Sequence, residues 1–248
     1  MTNRRAIVLA AGKGTRMKSD RPKVLFEVCG RPMIHFVLDA LTEAGVAQTL
    51  VVVGYRGDLV RDELAARDDV VFVEQTQQLG TGHAVMVCRD QLAGHEGPVL
   101  VVTGDSPMIR AQSVRRLFEE FEAHHPACIL GTCRKANPHG LGRIVRDETG
   151  AFLAIVEEKD ATDDQRQIDE VNMSCYVFDA PALVDALGQI RPNNVQGEYY
   201  ITDVPGILRA AGRDVRALNV LHPNESLSVN SLDELGAVEA AMRAEGRA

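Results

Sequence analysis

Short runs of consecutive apolar residues alternate along the chain with longer segments in which apolar residues recur every three or four positions. The first run, Ala6–Ala11, is short and continuous, which predicts a strand buried on both faces. The segment that follows, Pro32–Ala44, has the helical period, with proline at its start and Gly45 just beyond its end. This pair of patterns is repeated through the first half of the chain.

The complete pattern predicts an α/β fold with a doubly wound, mainly parallel sheet that is covered on both faces. The further predicted strands are Thr49–Gly54, Val70–Val73, Val99–Val102, Ala127–Cys133, Val171–Phe178 and Val215–Val220. The further predicted helices are Asp58–Arg67, Gly82–Leu92, Ser113–His125, Pro181–Ile190, Tyr199–Ala211 and Val229–Glu245. Arg143–Val156 predicts a hairpin that turns at residues 147–150 and marks a mixed second lobe. Ligands of such sheets bind beyond the carboxyl ends of the strands.

Composition narrows the class of protein. The chain has 248 residues, 45% of them hydrophobic and 25% charged, as in ordinary globular proteins. Its formal net charge of −8 argues against nucleic acid or a membrane surface as the main partner. Five cysteines without a CxxC pair favour reduced thiols, and no apolar run has the length of a signal peptide core or a membrane span. We therefore expect a cytoplasmic protein.

The stretch Leu9–Lys23, LAAGKGTRMKSDRPK, concentrates basic residues and glycines directly after the first strand. Gly12 and Gly14 allow the backbone to approach a ligand with positive φ, so that N–H groups converge on an anion. Mobile charge is added by Lys13, Arg16 and Lys23, and an arginine can hold phosphate oxygens bidentately. Arg16 and Lys23 are expected to act on the ligand, whereas Lys18 and Arg21 are expected to be solvated. The spacing fits neither a Walker loop nor a dinucleotide fingerprint. A glycine-rich surface turn is the alternative.

The pattern GxGTRM followed by Pro22-Lys23 resembles the signature of sugar-1-phosphate nucleotidylyltransferases. Further segments make the chain similar to the uridylyltransferase domain of bacterial N-acetylglucosamine-1-phosphate uridylyltransferases, from about Ile7 to Asn230. These segments are EQTQQLGTGHA (74–84), GDSPMI (104–109), GLGRI (140–144), VEEKDAT (156–162), EVN (170–172) and QGEYYITD (196–203). Their shared order along the chain makes the resemblance specific.

The resemblance implies a magnesium-dependent enzyme that transfers a uridylyl group from UTP to N-acetylglucosamine 1-phosphate. It implies a nucleotidyltransferase domain over residues 1–228, with a nucleotide-binding lobe to about residue 110 and a sugar-binding lobe at 111–228, and a C-terminal helix at 229–248. Catalytic roles are implied for Arg16 and Lys23, and Mg²⁺ binding for Asp105 and Asn230. Substrate contacts are implied for Leu9, Ala10, Ala11, Gly12, Gly14, Thr15, Gln75, Gly80, Thr81, Gly104, Gly142, Glu157, Asn172 and Thr202.

Several of these residues have a chemical rationale and an alternative. Asp105 follows a strand at the ligand-binding edge, where its carboxylate suits Mg²⁺, although turn capping explains its position equally well. The amide of Gln75 offers a donor and an acceptor to a uracil imide. Thr81 could equally be the N-cap of the next helix, and His83 is expected to be a packing or capping residue without a chemical role.

The chain departs from the family pattern at two places. Met173 and Ser174 follow Asn172 where the family has Thr-Gly, which changes the wall expected around the N-acetyl group. Leu232 stands where the family has arginine, which removes a charge near the expected metal site. Another sugar phosphate or dTTP therefore stays open as a substrate, as does a non-catalytic regulatory subunit.

The sequence contains no hexapeptide repeats, so we expect no acetyl-CoA chemistry in this chain. The family's usual trimer is held largely by the repeat domain. The oligomeric state therefore stays open, with a monomer or weak dimer expected.

Overall fold

The computed structural model describes residues 3–17 and 19–247. Its strands are β1 (Arg5–Ala10), β2 (Glu27–Val28), β3 (Arg31–Pro32), β4 (Gln48–Val53), β5 (Val70–Glu74), β6 (Pro98–Thr103), β7 (Cys128–Arg134), β8 (Arg143–Arg146), β9 (Phe152–Val156), β10 (Glu170–Asp179) and β11 (Val215–Asn219). Its α-helices are α1 (Met33–Glu43), α2 (Gly57–Glu63), α3 (Thr81–Met86), α4 (Arg89–Leu92), α5 (Ala111–His124), α6 (Asp163–Arg166), α7 (Ala180–Leu187), α8 (Val204–Ala210) and α9 (Leu232–Ala244).

The central path of the main sheet has the strand order β11-β7-β10-β6-β1-β4-β5. All neighbours on this path are parallel except β10, which runs antiparallel to both β6 and β7. The chain builds outward from β1 through β4 to β5 and then returns to place β6 on the other side of β1. The strand order thus reverses between β1 and β6, and a crevice at the carboxyl ends follows from that reversal.

Alternation along β1 shows how the sequence covers both faces of the sheet. Ala6 and Val8 pack into one apolar cluster with α1 and α5, whereas Ile7 packs into a second cluster with α3, α7 and α8. All three side chains are fully buried. Burial on both faces explains why this strand reads as a continuous apolar run, and it confirms the predicted α/β fold.

For two of the predicted helices that begin or end elsewhere, backbone contacts give the reason. The helix predicted over Gly82–Leu92 divides into α3 and α4, because the N–H of Cys88 bonds the carbonyl of Val85 and tightens the turn. The helix predicted from Tyr199 begins only at Val204, after a 3₁₀ turn at Ile201–Asp203. The backbone of Tyr199 is instead bonded to the segment that precedes and opens α3.

The hairpin prediction is confirmed by β8 and β9, which pair antiparallel around a turn stabilised by Asp147. The sheet contains strands of both predicted lobes, and the boundary near residue 110 stays a prediction. Among the described residues, no helix combines the length and hydropathy needed to cross a membrane.

Candidate active site

A cleft of about 500 Å³ opens at the carboxyl ends of β1, β5 and β6. Its position is the one expected from the reversal of strand order, because the loops after β1 and β6 diverge there. The cleft is lined by Leu9, Ala10, Ala11, Gly12, Lys13, Gly14, Arg16, Lys23, Val24, Gln75, Gln78, Gly80, Thr81, Ala84, Thr103, Asp105, Glu198 and Asn230.

The loop after β1 is shaped by Gly14 and by the 3₁₀ turn at Thr15–Met17. Gly14 has φ +64°, and a Cβ there would lie 2.8 Å from the Cβ of Lys23. Gly12 does not have positive φ and has open space around it, so only one of the two glycines takes the predicted backbone conformation. The loop is held down by Met17, whose N–H bonds Gly14 and whose side chain is buried.

Two cations and two oxygen-bearing side chains meet at the mouth of this loop. Lys23 forms an ion pair with the carboxylate of Asp105, and its Nζ donates to Oδ1 of Asn230 at 2.6 Å. Nη2 of Arg16 donates to the same Oδ1 at 2.9 Å. The side chains of Lys23 and Asp105 are 15% and 20% exposed, so this ion pair lines the cleft while being largely buried. Two cations on one wall of a cleft can bind anionic oxygen.

The start of α9 explains the position of Asn230. Ser231 is the N-cap of the helix, and Glu234 accepts a hydrogen bond from the N–H of Asn230 at 2.6 Å. The preceding residue, Val229, is fully buried and donates its N–H to the carbonyl of Asp105 at 3.2 Å. The predicted helix from Val229 therefore begins later, and Asn230 is left in a loop whose ends are both fixed.

Gln75 and the segment that opens α3 form the far wall of the cleft. Gln75 is 4% exposed, and its Nε2 lies 3.2 Å from the carbonyl of Gly80 and 3.0 Å from Nδ1 of His83. The N-cap of α3 is Gly80, with φ +106°. Thr81 is therefore not the N-cap, since its hydroxyl accepts a bond from Ile201 instead.

The backbone of Tyr199 approaches this wall so closely that only glycine fits at positions 80 and 82. The N–H of Gly82 donates to the carbonyl of Tyr199 at 2.7 Å. A Cβ on Gly80 or on Gly82 would lie 2.6 Å or 2.9 Å from that same oxygen. Two segments that are more than a hundred residues apart in sequence are thereby joined at the cleft.

A second cavity of about 170 Å³ shares Thr103 and Asp105 with the cleft. Asn172 lines it, together with Met173 and Ser174. Nδ2 of Asn172 donates to the hydroxyl of Tyr176 at 2.7 Å, and its Oδ1 accepts the N–H of Ser174 at 3.3 Å. Ser174 has φ +48°, in the register shift of β10. The departure from the family pattern therefore lies in the wall of this cavity.

Gly142, Glu157 and Thr202 form a cluster beside Asn172. A Cβ on Gly142 would lie 3.4 Å from Cβ of Asn172 and 3.5 Å from Oε1 of Glu157. Burial raises the pKa of Glu157, and a hydrogen bond to Thr202 offsets part of that rise. Within the described part of the chain, these three residues are outside the lining of both cavities.

Arg143 joins two segments of the predicted sugar-binding lobe, and this role was not predicted. Its side chain is 2% exposed, pairs with Glu158 at 2.7 Å and bonds the carbonyl of Leu141. It therefore connects the GLGRI and VEEKDAT segments, both of which carry the family resemblance.

The structure brings most predicted residues together but not all. Twelve of the predicted residues line the cleft and Asn172 lines the second cavity. Gly104 lies beneath the cleft, where its N–H bonds the carbonyl of Leu9. Arg21 is exposed as expected, while Lys18 and the side chain of Thr15 lie outside the described residues.

Gln78, Thr103 and Glu198 also line the cleft and were not predicted, whereas Lys13, which lines it too, was expected to supply mobile charge. Gln78 and Glu198 lie in motifs that carry the resemblance, and Thr103 directly follows the predicted strand Val99–Val102. Proximity to the carboxyl end of a strand was therefore the signal that could have found Thr103.

The oxygen atoms of the cleft can be compared with the ligands that Mg²⁺ prefers. Asp105 and Asn230 offer a carboxylate and an amide oxygen on the same cleft wall, and hard oxygen donors are what Mg²⁺ prefers. Among the described residues, no group of three or more His, Cys, Asp or Glu side chains could hold a metal ion. Two protein oxygens fit an ion that takes its remaining ligands from phosphate and water.

Comparisons with known proteins identify the family of the chain. The model of the MobA-like NTP transferase domain matches residues 6–170. The bifunctional protein GlmU of Heliobacterium modesticaldum is 47% identical over 98% of this chain and 53% of the relative, and that of Streptococcus gordonii is 46% identical over 98% and 52%. The chain thus spans about half the length of these curated relatives. The predicted resemblance is confirmed.

The solved structures agree on the fold. A UDP-glucose pyrophosphorylase complexed with UDP-glucose superimposes with a TM-score of 0.78 at 18% identity, covering 99% of this chain and 100% of the other. At that identity, the likeness supports the architecture alone.

Proposed function

Since this chain belongs to the family of MobA-like NTP transferase domains, we propose that it transfers a uridylyl group from UTP to N-acetylglucosamine 1-phosphate, releasing pyrophosphate. The observation that carries the proposal is the meeting of Arg16 and Lys23 with Asp105 and Asn230 at one mouth of the cleft. The resemblance to the uridylyltransferase family and the names of the curated relatives support the choice of substrates.

The reaction needs positioning and charge more than it needs a protein nucleophile. A phosphate oxygen of the sugar attacks the α-phosphorus, that new P–O bond forms, and the bond to pyrophosphate breaks. Arg16 and Lys23 would bind the phosphate oxygens and stabilise the charge that develops on them. Mg²⁺ held by Asp105 and Asn230 would supply further positive charge to the triphosphate.

The sugar would occupy the side of the site that contains Asn172 and the cluster of Gly142, Glu157 and Thr202. Short polar side chains and backbone groups suit the hydroxyl and acetamido groups of an amino sugar. The same transfer to another sugar phosphate is a second candidate, favoured by Met173 and Ser174 in the wall of the second cavity.

We propose a cytoplasmic location for the protein. All five cysteines are free, which agrees with a reducing environment such as the cytoplasm. We expect neither nucleic acid nor a membrane to be a partner, and the oligomeric state stays open.

Pyrophosphate release from a panel of nucleotides and sugar 1-phosphates tests the proposal. UTP with N-acetylglucosamine 1-phosphate should give the highest kcat/KM, and glucose 1-phosphate should be turned over far more slowly. Equal turnover of glucose 1-phosphate would contradict the proposed sugar. Binding of UTP without any pyrophosphate release would instead favour a regulatory protein.

Replacement of a proposed metal ligand tests the role assigned to Asp105. Asp105→Asn should lower kcat/KM by about a hundredfold or more, since a bound divalent ion contributes several kcal/mol to charge stabilisation. Turnover that persisted at saturating Mg²⁺ would contradict the assignment of Asp105.

A further inference from the structure

The amide of Gln75 has its two N–H groups bonded to the protein. Nε2 lies 3.2 Å from the carbonyl of Gly80 and 3.0 Å from Nδ1 of His83. A carbonyl oxygen can only accept, so the NH₂ end of the amide must face Gly80, and this fixes the orientation of the side chain. The second N–H is then directed to His83.

The oxygen of Gln75 is therefore what this side chain offers to a ligand. Gln75 lines the cleft, and in the described part of the chain no protein group donates to its Oε1. Because Gln75 is 4% exposed, loss of either N–H partner would leave a buried donor unsatisfied. The site presents a fixed acceptor and no competing donor from this amide.

His83 can accept only as a neutral imidazole with its proton on Nε2. It lies on α3, and its ring packs 6.4 Å from that of Tyr199 at an interplanar angle of 40°. The residue therefore has two separable features, an acceptor nitrogen directed at Gln75 and an aromatic ring packed beside Tyr199.

We propose that His83 is a positioning residue for base selection, holding the amide of Gln75 through Nδ1 so that Oε1 alone faces the nucleotide base. A base that carries an N–H at this edge, such as the imide of uracil or thymine, can donate to Oε1. Cytosine has an acceptor nitrogen at the corresponding position and is repelled. The inference rests on the proposed use of UTP and adds a residue through which the protein selects the base of UTP.

Two substitutions separate the acceptor from the ring. His83→Phe keeps an aromatic ring but removes the acceptor, whereas His83→Asn removes the ring but can place an amide oxygen where Nδ1 lies. We expect His83→Phe to lower kcat/KM for UTP about tenfold, mainly through KM, and to narrow the preference for UTP over CTP by a similar factor. His83→Asn should keep most of that preference.

The control is His124→Asn, which replaces an exposed histidine at the end of α5. It should leave kcat/KM for UTP and the preference for UTP over CTP unchanged. If His83→Phe kept the preference for UTP while His83→Asn lost it, the ring would be the important feature and the inference would be wrong. A wild-type protein without UTP turnover would contradict the proposed function instead.

Nuclear magnetic resonance of the Gln75 side-chain amide provides a measurement that needs no activity. In the wild type and in His83→Asn, its NH₂ protons should exchange slowly with solvent. In His83→Phe, one proton should exchange at least about tenfold faster, because its acceptor is lost. Equal exchange in all three proteins would overturn the proposed contact.

Discussion

Replacement of Lys23 by methionine should tighten the binding of a divalent cation to the protein without nucleotide. Nζ of Lys23 contacts both oxygens that we assign to Mg²⁺, the carboxylate of Asp105 and Oδ1 of Asn230. A divalent ion can bind these oxygens only after Lys23 has released them. The ammonium group therefore competes with the metal.

The size of the effect follows from the two contacts that must be broken. The ion pair with Asp105 is largely buried, with side chains that are 15% and 20% exposed, so its release also costs free energy. The hydrogen bond from the charged Nζ to Asn230 contributes about 1.5–3 kcal/mol. Since about 1.4 kcal/mol corresponds to a factor of ten, Lys23→Met should bind the cation about tenfold more tightly or better.

Electron paramagnetic resonance of free Mn²⁺, used in place of Mg²⁺, measures this affinity directly. Lys23→Arg keeps the charge and should resemble the wild type. Lys13→Met is a matched control, since Lys13 belongs to the same loop but lies 5.1 Å over the ring of Tyr55. If Lys23→Met bound Mn²⁺ no more tightly than the wild type, the competition would be refuted.

Three further predictions concern the walls of the site. Gly80→Ala should raise KM for the nucleotide about tenfold and lower the melting temperature, because its Cβ would lie 2.6 Å from the carbonyl of Tyr199 at a φ of +106°. Arg143→Met should lower the free energy of unfolding in urea by about 2–4 kcal/mol, since Glu158 loses a buried partner. Glu157→Gln should stabilise the protein at neutral pH but not in acid: burial raises the pKa of Glu157 in the folded state, so the wild type loses stability as pH rises from the unfolded pKa through the folded one.

The first two of these predictions have a control variant, and the third is tested by its pH dependence. Gly206→Ala in α8 adds a Cβ with nothing within 4 Å and should be neutral or stabilising. Arg134→Met removes a guanidinium that is 60% exposed and should cost less than about 1 kcal/mol. A melting temperature of Glu157→Gln that ran parallel to the wild type at every pH would contradict the assigned pKa shift.

The sheet could be predicted because its strands are encoded locally. Continuous apolar runs such as Ala6–Ala11 need no information from distant residues, and the observed strand, Arg5–Ala10, differs by one position. The start of the helix after Tyr199 could not be found in this way. It depends on a hydrogen bond between Ile201 and Thr81, which are 120 residues apart.

The candidate site could likewise be predicted only where its signal is local in the sequence. Glycine and cation spacing identified the loop after β1, but residue patterns alone could not bring Lys23 to Asn230, 207 residues later in the chain. The resemblance to a family supplied that pairing. His83 was assigned no chemical role because such a histidine is more often a packing or capping residue, and its acceptor role depends on the orientation of Gln75.

The antiparallel strand β10 has a consequence for synthesis of the protein on the ribosome. One side of β6 pairs with β1, and the other pairs with residues 176–179 of β10. A nascent chain that ends near residue 110 therefore exposes the backbone of an apolar strand, Pro98–Thr103, until some seventy further residues have been translated. We expect a fragment cut at that boundary to aggregate, and a chaperone that covers this strand during translation to raise the yield of folded protein.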